Sequence, residues 1–343
     1  MAVPTISLQR LISQNEEERE RLHLACKSSG VFLLNLCDHG NDTRGSQSLV
    51  QAQQIFQLAR RFFDFDDQYK LGYEMDSWGE LQIGGYKAAG KHSGVVSGKR
   101  DGFENFLVPL NRLIGFKDGV VPGPLPPVFE SEIGSLAEFQ KNCHEICNVI
   151  LSSLSIAGHF DYDQRLQDSH KIEDPSTTSL AMLKYLPGEA LSTDQIGHMA
   201  HTDVGSLTLV FTTSPGLEIF HHETSSWVPV TPSPGTVAVN VGDALRFLSG
   251  GSLASCIHRV VPQVDKETGL SATRFSLAFF QRPGLRATFE DESGQDWTGE
   301  QWHKKKYRIF RATNEEQLQS SLLTGKVGFL GELKGKGGEQ IST

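Results

Sequence analysis

Gly197–Val210 reads GHMAHTDVGSLTLV, and the way this stretch folds decides the architecture around it. The triplet His201-Thr202-Asp203 runs straight into an apolar segment. Leu207, Leu209 and Phe211 alternate with Thr208 and Val210, the period of two expected of a strand. If the strand begins at the triplet, His201 and Asp203 share one face. An imidazole nitrogen and a carboxylate oxygen side by side on a rigid strand are two adjacent ligands for a divalent metal. A third has to come from elsewhere in the chain.

The surroundings of the triplet are rich in β-structure. Beyond about Thr178, short strands alternate with turns at 179–185, 206–212, 217–220, 227–230, 236–241, 257–261 and 275–281. Gly242-Asp243 reads as one of the turns. This spacing predicts a double-sheet fold of the jelly-roll kind, able to enclose a small-molecule pocket. Upstream the pattern is mixed. A short strand at 3–8 precedes a helix at 16–27 with Leu22, Leu24 and Ala25 inward, stopped by Gly30. A buried strand at 31–36 and a helix at 48–63 follow. From 72 to 127 repeated glycines loosen the pattern, which reads as a binding loop or lid. The longest helix is expected at 131–160, with Ile133, Leu136, Phe139, Cys143, Cys147, Ile150, Leu154 and Ala157 as its apolar stripe. The tail from Gly325 is Gly- and Lys-rich and reads as poorly ordered.

The chain has 343 residues, a net charge of −9 from 32 basic and 41 acidic residues, and 38 % hydrophobic residues. That composition fits a soluble globular protein and argues against nucleic acid or an anionic membrane as partner. The five cysteines are odd in number and lack the spacing of a secreted disulfide framework. Cys143 and Cys147 read as buried thiols. No signal peptide and no apolar run long enough to span a bilayer is found. A cytoplasmic monomer acting on a small molecule is the default expectation.

The third ligand candidate is His258, in SCIHRVVP, which a jelly roll can fold back onto the triplet. Two imidazoles and one carboxylate form the facial triad of non-haem Fe(II) oxygenases and leave coordination positions open. Arg274 and Ser276 stand two apart at the mouth of another strand. A guanidinium fork beside a hydroxyl suits a carboxylate, and Tyr185 is a third donor candidate. His198 is set aside as a ligand, because the residue at the required spacing is Ala200. His221-His222, beside Glu223, reads as an exposed turn.

His-X-Asp, a distant His and then Arg-X-Ser, in this order within a β-rich half, resembles the Fe(II)/2-oxoglutarate-dependent dioxygenases. More narrowly it is similar to their isopenicillin N synthase-like branch, and softer features resemble fungal natural-product oxygenases. The resemblance covers most of the chain, including PTISL and SSGVFLLN near the N-terminus. It implies a mixed α/β fold with a double-stranded β-helix (jelly-roll) core flanked by helices. The expected division is an N-terminal α/β cap with substrate loop at 1–120 and a linker with backing helix at 121–177. The oxygenase core follows at 178–285, then a helical extension and tail at 286–343.

The resemblance further implies that His201, Asp203 and His258 bind Fe(II). Arg274, Ser276 and Tyr185 would bind 2-oxoglutarate, with O2 as second co-substrate. The reaction would couple decarboxylation of 2-oxoglutarate to succinate and CO2 with hydroxylation, desaturation, epoxidation or ring rearrangement of a small organic metabolite. Two departures are visible. Tyr185 follows Lys184 where many members have Asn, and 16 positions separate His258 from Arg274, more than in many relatives. Substrate-contact candidates are Tyr86, His92, Arg100, Phe103 and Phe106 in the 84–106 loop, with Phe280 and Arg282 after the Arg-X-Ser strand. Their aromatic character suggests a medium-sized metabolite of low polarity. Three other readings stay open: an Fe(II)/O2 oxidase without 2-oxoglutarate, in which Arg274 and Ser276 hold the substrate's carboxylate; a non-catalytic β-sandwich binding protein; and a zinc hydrolase.

Overall fold

Strands buried on both faces carry near-continuous apolar residues, and SLAMLKY and FENFLVP are of this kind. The computed structural model describes residues 3–329 except 39, 79–80, 82, 92–100, 117–122, 160–164, 188–197, 213, 223, 262–264, 266, 269 and 326–328. Twelve of its strands build two sheets. They are β1 (Thr5–Ser7), β2 (Val31–Asn35), β3 (Gly85–Lys87), β4 (Phe103–Pro109), β5 (Ser179–Tyr185) and β6 (His198–His201), then β7 (Leu207–Thr212), β8 (Leu217–His221), β9 (Ser226–Pro229), β10 (Thr236–Val241), β11 (His258–Val260) and β12 (Arg274–Gln281). The larger sheet has the order β1-β2-β10-β7-β12-β5-β4-β3, and the smaller has the order β6-β11-β8-β9.

The two faces of the large sheet have different partners. Phe106, Leu180, Leu209, Leu277 and Phe279 pack against the helices Arg44–Phe63 and Ile133–Ala157 through Phe62 and Phe139. On the opposite face Ala181, Leu183 and Ala278 meet Leu217, Ile219 and Val260 of the small sheet. The space between the sheets is where a site can form.

Several sequence expectations need correcting. The strand does not begin at the triplet. β6 ends at His201, and residues 202–206 cross from the small sheet to the large one before β7 begins. Leu24 is not inward; it is 61 % exposed. The helix Glu16–Ser28 instead buries Glu18, whose carboxylate pairs with Arg10 at 2.9 Å and Arg21 at 2.8 Å and accepts from the Ser7 amide at 2.7 Å. The 72–127 stretch contains β3 and β4, and β4 pairs with β5 along its whole length. Because both faces of β4 are covered, no polar alternation marks it in the sequence. Gly242-Asp243 is not a simple turn; Asp243 opens the helix Asp243–Leu248. Cys143 and Cys147 are buried free thiols, and burial pushes both well above the usual thiol range. Most of the tail lies outside the described residues, but Phe329 packs with Ala200 and Ile257 on the small sheet. No helix among the described residues is long and apolar enough to cross a membrane.

The 202–206 crossing is clamped from outside. Lys306, on the helix Gly299–Phe310, is 0 % exposed. Its ammonium donates to the Asp243 carboxylate and, at 2.7 Å, to Thr202 Oγ1. Trp302 Nε1 donates to the Val204 carbonyl at 3.1 Å. Lys306 is the nearer of two cations on the buried Asp243 carboxylate; Arg246 Nη2 lies 3.4 Å from its other oxygen and stays when Lys306 is removed. Lys306→Met is therefore expected to lower unfolding free energy by about 1.5–3 kcal/mol, the loss of a charge-assisted hydrogen bond, with part of the loss recovered in Lys306→Met/Asp243→Leu. Urea unfolding of the variants checks this, and an unchanged midpoint in the single variant would refute it.

Candidate active site

β6 and β11 pair antiparallel with His201 directly opposite His258, so the two imidazoles are cross-strand neighbours with ring centres 4.3 Å apart. The crossing segment adds Asp203 next to them. Each of the three side chains offers one ligand atom, and these atoms lie within 4.8 Å of one another. Asp203 Oδ1 is 3.6 Å from His201 Nε2 and 4.0 Å from His258 Nε2, too far for hydrogen bonds.

Every other polar atom of the three side chains is held elsewhere. His201 Nδ1 lies 2.7 Å from the Met199 carbonyl, and His258 Nδ1 lies 3.1 Å from the Cys256 carbonyl. A carbonyl can only accept, so both Nδ1 atoms carry hydrogen, and Nε2 is the ring nitrogen each histidine presents to the shared space. Asp203 Oδ2 accepts from Thr208 Oγ1 at 2.6 Å and Asn240 Nδ2 at 2.7 Å, leaving Oδ1 for the same space. Burial, reinforced by the facing His201, pushes His258 down to about 4, so its ring is neutral at pH 7. Burial alone would raise the Asp203 carboxyl. The two histidines and Thr208 outweigh it and hold that group well below the usual carboxylate range. Two imidazoles and one carboxylate with converging ligand atoms fit a divalent metal. His198 is not among the three; it stacks between His201 and Phe103.

A second polar group sits on β12. Arg274 is 6 % exposed and stands opposite Tyr185 in the β12–β5 register. Its guanidinium lies 5.0 Å above the Tyr185 ring, and its Nη1 donates to Ser276 Oγ at 3.3 Å. Its Nε donates to the Ser214 and Pro215 carbonyls at 3.3 and 3.1 Å. Burial lowers its pKa from the usual guanidinium value. No carboxylate among the described residues pairs with it. A buried cation among neutral acceptors is costly and suits an incoming anion. Gly216, at φ +129°, makes room: a Cβ there would lie 2.8 Å from the Val261 carbonyl and 3.5 Å from Arg274 Nε.

The cavity beside the metal-ligand group is lined on one wall by Phe103, Leu183 and Phe280 and on the other by Tyr307 and Phe310. Of the aromatic candidates, Phe103 and Phe280 therefore face it. Tyr86 and Phe106 do not. They are register partners on β3 and β4 whose side chains take the helix-packed face, where both contact Phe62. Tyr86 Oη donates to buried Glu104 at 2.6 Å. Successive residues of a strand point to opposite faces, so Phe103 in the cavity sends Phe106 into the core. His92 and Arg100 lie outside the described residues.

Sequence reading missed Asn240, Thr208, Asp243 and Lys306. Asn240 had a usable signal: it is the lone amide in TVAVNV, otherwise a run of strand formers. Lys306 had none, because it stands in the run His303-Lys304-Lys305-Lys306 within the expected helical extension, where nothing local sets it apart.

Comparison with known proteins agrees with this geometry. Residues 177–283 match the model of the 2OG-Fe(II) oxygenase superfamily. The 2-oxoglutarate-dependent dioxygenase gloE of Glarea lozoyensis is 35 % identical over 94 % of this chain and 92 % of its own length. The 2-oxoglutarate-dependent dioxygenase ecdG of Aspergillus rugulosus is 31 % identical over 89 % of this chain and 88 % of its own. A full-length Neurospora crassa protein crystallised in complex with alpha-KG has the same fold: TM-score 0.72 at 20 % identity, covering 89 % of this chain and 96 % of that one. With relatives this similar over nearly its whole length, and with a double-stranded β-helix enclosing a His-Asp-His group, the chain belongs to the 2OG-Fe(II) oxygenase superfamily as an Fe(II)- and 2-oxoglutarate-dependent dioxygenase.

Proposed function

We propose that this dioxygenase oxidises a C–H bond of a small organic natural product, with His201, Asp203 and His258 holding Fe(II) and Arg274, Ser276 and Tyr185 holding the far carboxylate of 2-oxoglutarate. What carries this reading is the convergence of three ligand atoms on one point, beside a cavity, with, on β12 of the large sheet, a buried guanidinium that pairs with no carboxylate among the described residues. The fungal origin of the relatives supports a natural product as substrate.

The residues divide the work. The Met199 and Cys256 carbonyls fix both imidazoles so that Nε2, not Nδ1, is presented. Thr208 and Asn240 hold Asp203 Oδ2 and restrict the carboxylate to one free oxygen. That restriction keeps the remaining coordination positions for co-substrates. Ser276 and the Ser214 and Pro215 carbonyls hold the Arg274 fork against Tyr185. A dicarboxylate held there by one carboxylate would keep its keto-acid end free for the metal. Phe103 and Phe280 wall the space in which the substrate's C–H bond is presented. When bound, the iron supplies O2 activation coupled to decarboxylation of 2-oxoglutarate, and the protein supplies orientation and exclusion of water.

Turnover is expected to release one succinate per substrate oxidised. Substrate oxidation without succinate, followed by chromatography of both products, would sink the 2-oxoglutarate reading. His201→Ala is expected to abolish turnover, since one of three ligands is lost. Arg274→Ala is expected to raise the KM for 2-oxoglutarate about 10- to 100-fold, the loss of a charge-assisted hydrogen bond. An unchanged KM would place the carboxylate elsewhere. Asn240→Ala and Thr208→Val are expected to weaken Fe(II) affinity about 10- to 100-fold while leaving much of kcat at saturating iron. Anaerobic metal titration separates these two effects.

A further inference from the structure

We propose that the substrate is a small carboxylic acid, its carboxylate held by Arg282 and a hydrogen-bonding group on its body held by the Asn105 amide. This rests on the reading of the metal and 2-oxoglutarate sites given above.

The chain carries more acidic than basic residues, 41 against 32, yet its cavity wall reverses the balance. Lys87, Arg282 and Arg311 line it, against the single carboxylate of Asp203. Asp203 is committed to the metal group. Lys87 is already neutralised by Asp101 at 2.6 Å. Arg311 is exposed, at the rim. Arg282 is different: it is 4 % exposed and pairs with no carboxylate among the described residues.

All the acceptors Arg282 does have are neutral. Nη1 donates to the Thr177 carbonyl and, at 2.9 Å, to Ser179 Oγ, while Nη2 donates to Tyr307 Oη at 3.3 Å. Its guanidinium lies 4.9 Å over the Phe280 ring. Nε is buried with no acceptor at all. A guanidinium fixed in place by neutral groups, with Nε unmatched, leaves the Nε–Nη2 edge for a bidentate carboxylate. Its stem runs beside the metal-ligand loop. A Cβ at Gly205, two residues after Asp203, would lie only 2.8 Å from Arg282 Cγ. Small size at that position is what lets Arg282 approach the site.

Asn105 supplies a second polar contact. It shares its face of β4 with Phe103 and Leu107, also on the cavity wall. Its Oδ1 is buried and has no partner. Buried amides are normally hydrogen-bonded, so an amide oxygen without a partner on a cavity wall marks a place for a ligand's N–H or O–H. Phe103, Phe280 and Phe310 leave apolar wall between these two polar points for the body of the molecule.

Arg282 does not duplicate the 2-oxoglutarate anchor. It lies eight residues beyond Arg274 along an extended strand, a separation of about 26 Å. One strand thus carries an anion site at each end, with the metal group alongside.

The test uses the full-length enzyme loaded with Fe(II) and 2-oxoglutarate. It is offered matched pairs of aromatic and aliphatic amino- and hydroxy-acids and their methyl esters. Succinate release and, under anaerobic conditions, calorimetric binding are measured. Acids are expected to bind and to stimulate succinate release at least 10-fold over their esters. Arg282→Gln is expected to reduce that preference about 10- to 100-fold, with Arg282→Lys retaining part of it. Asn105→Leu is expected to weaken the substituted acids but not their unsubstituted counterparts. Because Arg282 also holds Thr177 and Ser179, each variant is first required to bind 2-oxoglutarate as the wild type does. The wild-type comparison of acid with ester needs no variant. Equal response to acids and esters, or no acid bound by an enzyme that still decarboxylates 2-oxoglutarate slowly on its own, overturns the inference. Failure of the wild type to release any succinate overturns instead the function on which it rests.

Discussion

The Asp203 carboxylate must be both buried and half free. Burying a carboxylate is costly unless it is paired and hydrogen-bonded. Two strands of the large sheet meet that cost: Thr208 on β7 and Asn240 on β10 both donate to Oδ2. Asp203 itself belongs to the segment that leaves the small sheet at His201. Neither sheet alone contains the whole group. The position of one carboxylate therefore sets how the two sheets close, and the clamp on the crossing segment follows from it. Thr202 bonds to Asp243 and Lys306 on one side of Asp203, and the Val204 carbonyl accepts from Trp302 on the other. The C-terminal helix Gly299–Phe310 is thus part of the site's support, although it supplies no metal ligand.

This arrangement explains which parts are legible in the sequence. Strands of the β-rich half read clearly because their apolar runs are bounded by turn residues. 179–185 and 236–241 agree to the residue, and the edges of the other five move by one position, whereas β6, at His198–His201, is not read as a strand. The His-X-Asp, His and Arg-X-Ser spacing is legible because each pair is local in the chain. β4 is not. Its sequence, FENFLVP, follows a glycine-broken stretch, and its register partners on β5 lie 70 to 82 residues on, from Pro109↔Ser179 to Phe103↔Tyr185. The pairing that makes it a strand is not visible locally. The same blindness assigns Tyr86 and Phe106 to the cavity. Aromatic character says that a ring is buried, not on which side of a sheet. Lys306 escapes for a related reason: only tertiary structure distinguishes a lysine that ends in a buried carboxylate from its two neighbours in the run.

Native interiors leave few polar groups without partners, and several here belong to residues of the metal-ligand group and the cavity wall. On the scaffold side these residues are matched. His201 and His258 Nδ1, Asp203 Oδ2, and the Arg274 and Arg282 groups facing carbonyls or hydroxyls all have acceptors or donors. By contrast, the two Nε2 atoms, Asp203 Oδ1, Arg282 Nε and Asn105 Oδ1, all on residues of the metal-ligand group or the cavity wall, make no hydrogen bond. Unmatched atoms elsewhere, such as Gln140 Oε1 and Asn148 Oδ1, stand singly on the helix Ile133–Ala157. Collecting five around one space holds each side chain rigidly from behind while leaving its functional atom unmet, which is the condition for binding without reorganisation. The period of two along β12 does much of this: Arg274, Ser276, Ala278, Phe280 and Arg282 alternate with Leu277 and Phe279 in the helix-packed core. The same strand that anchors the site in the core also presents both of its guanidinium groups to the interior.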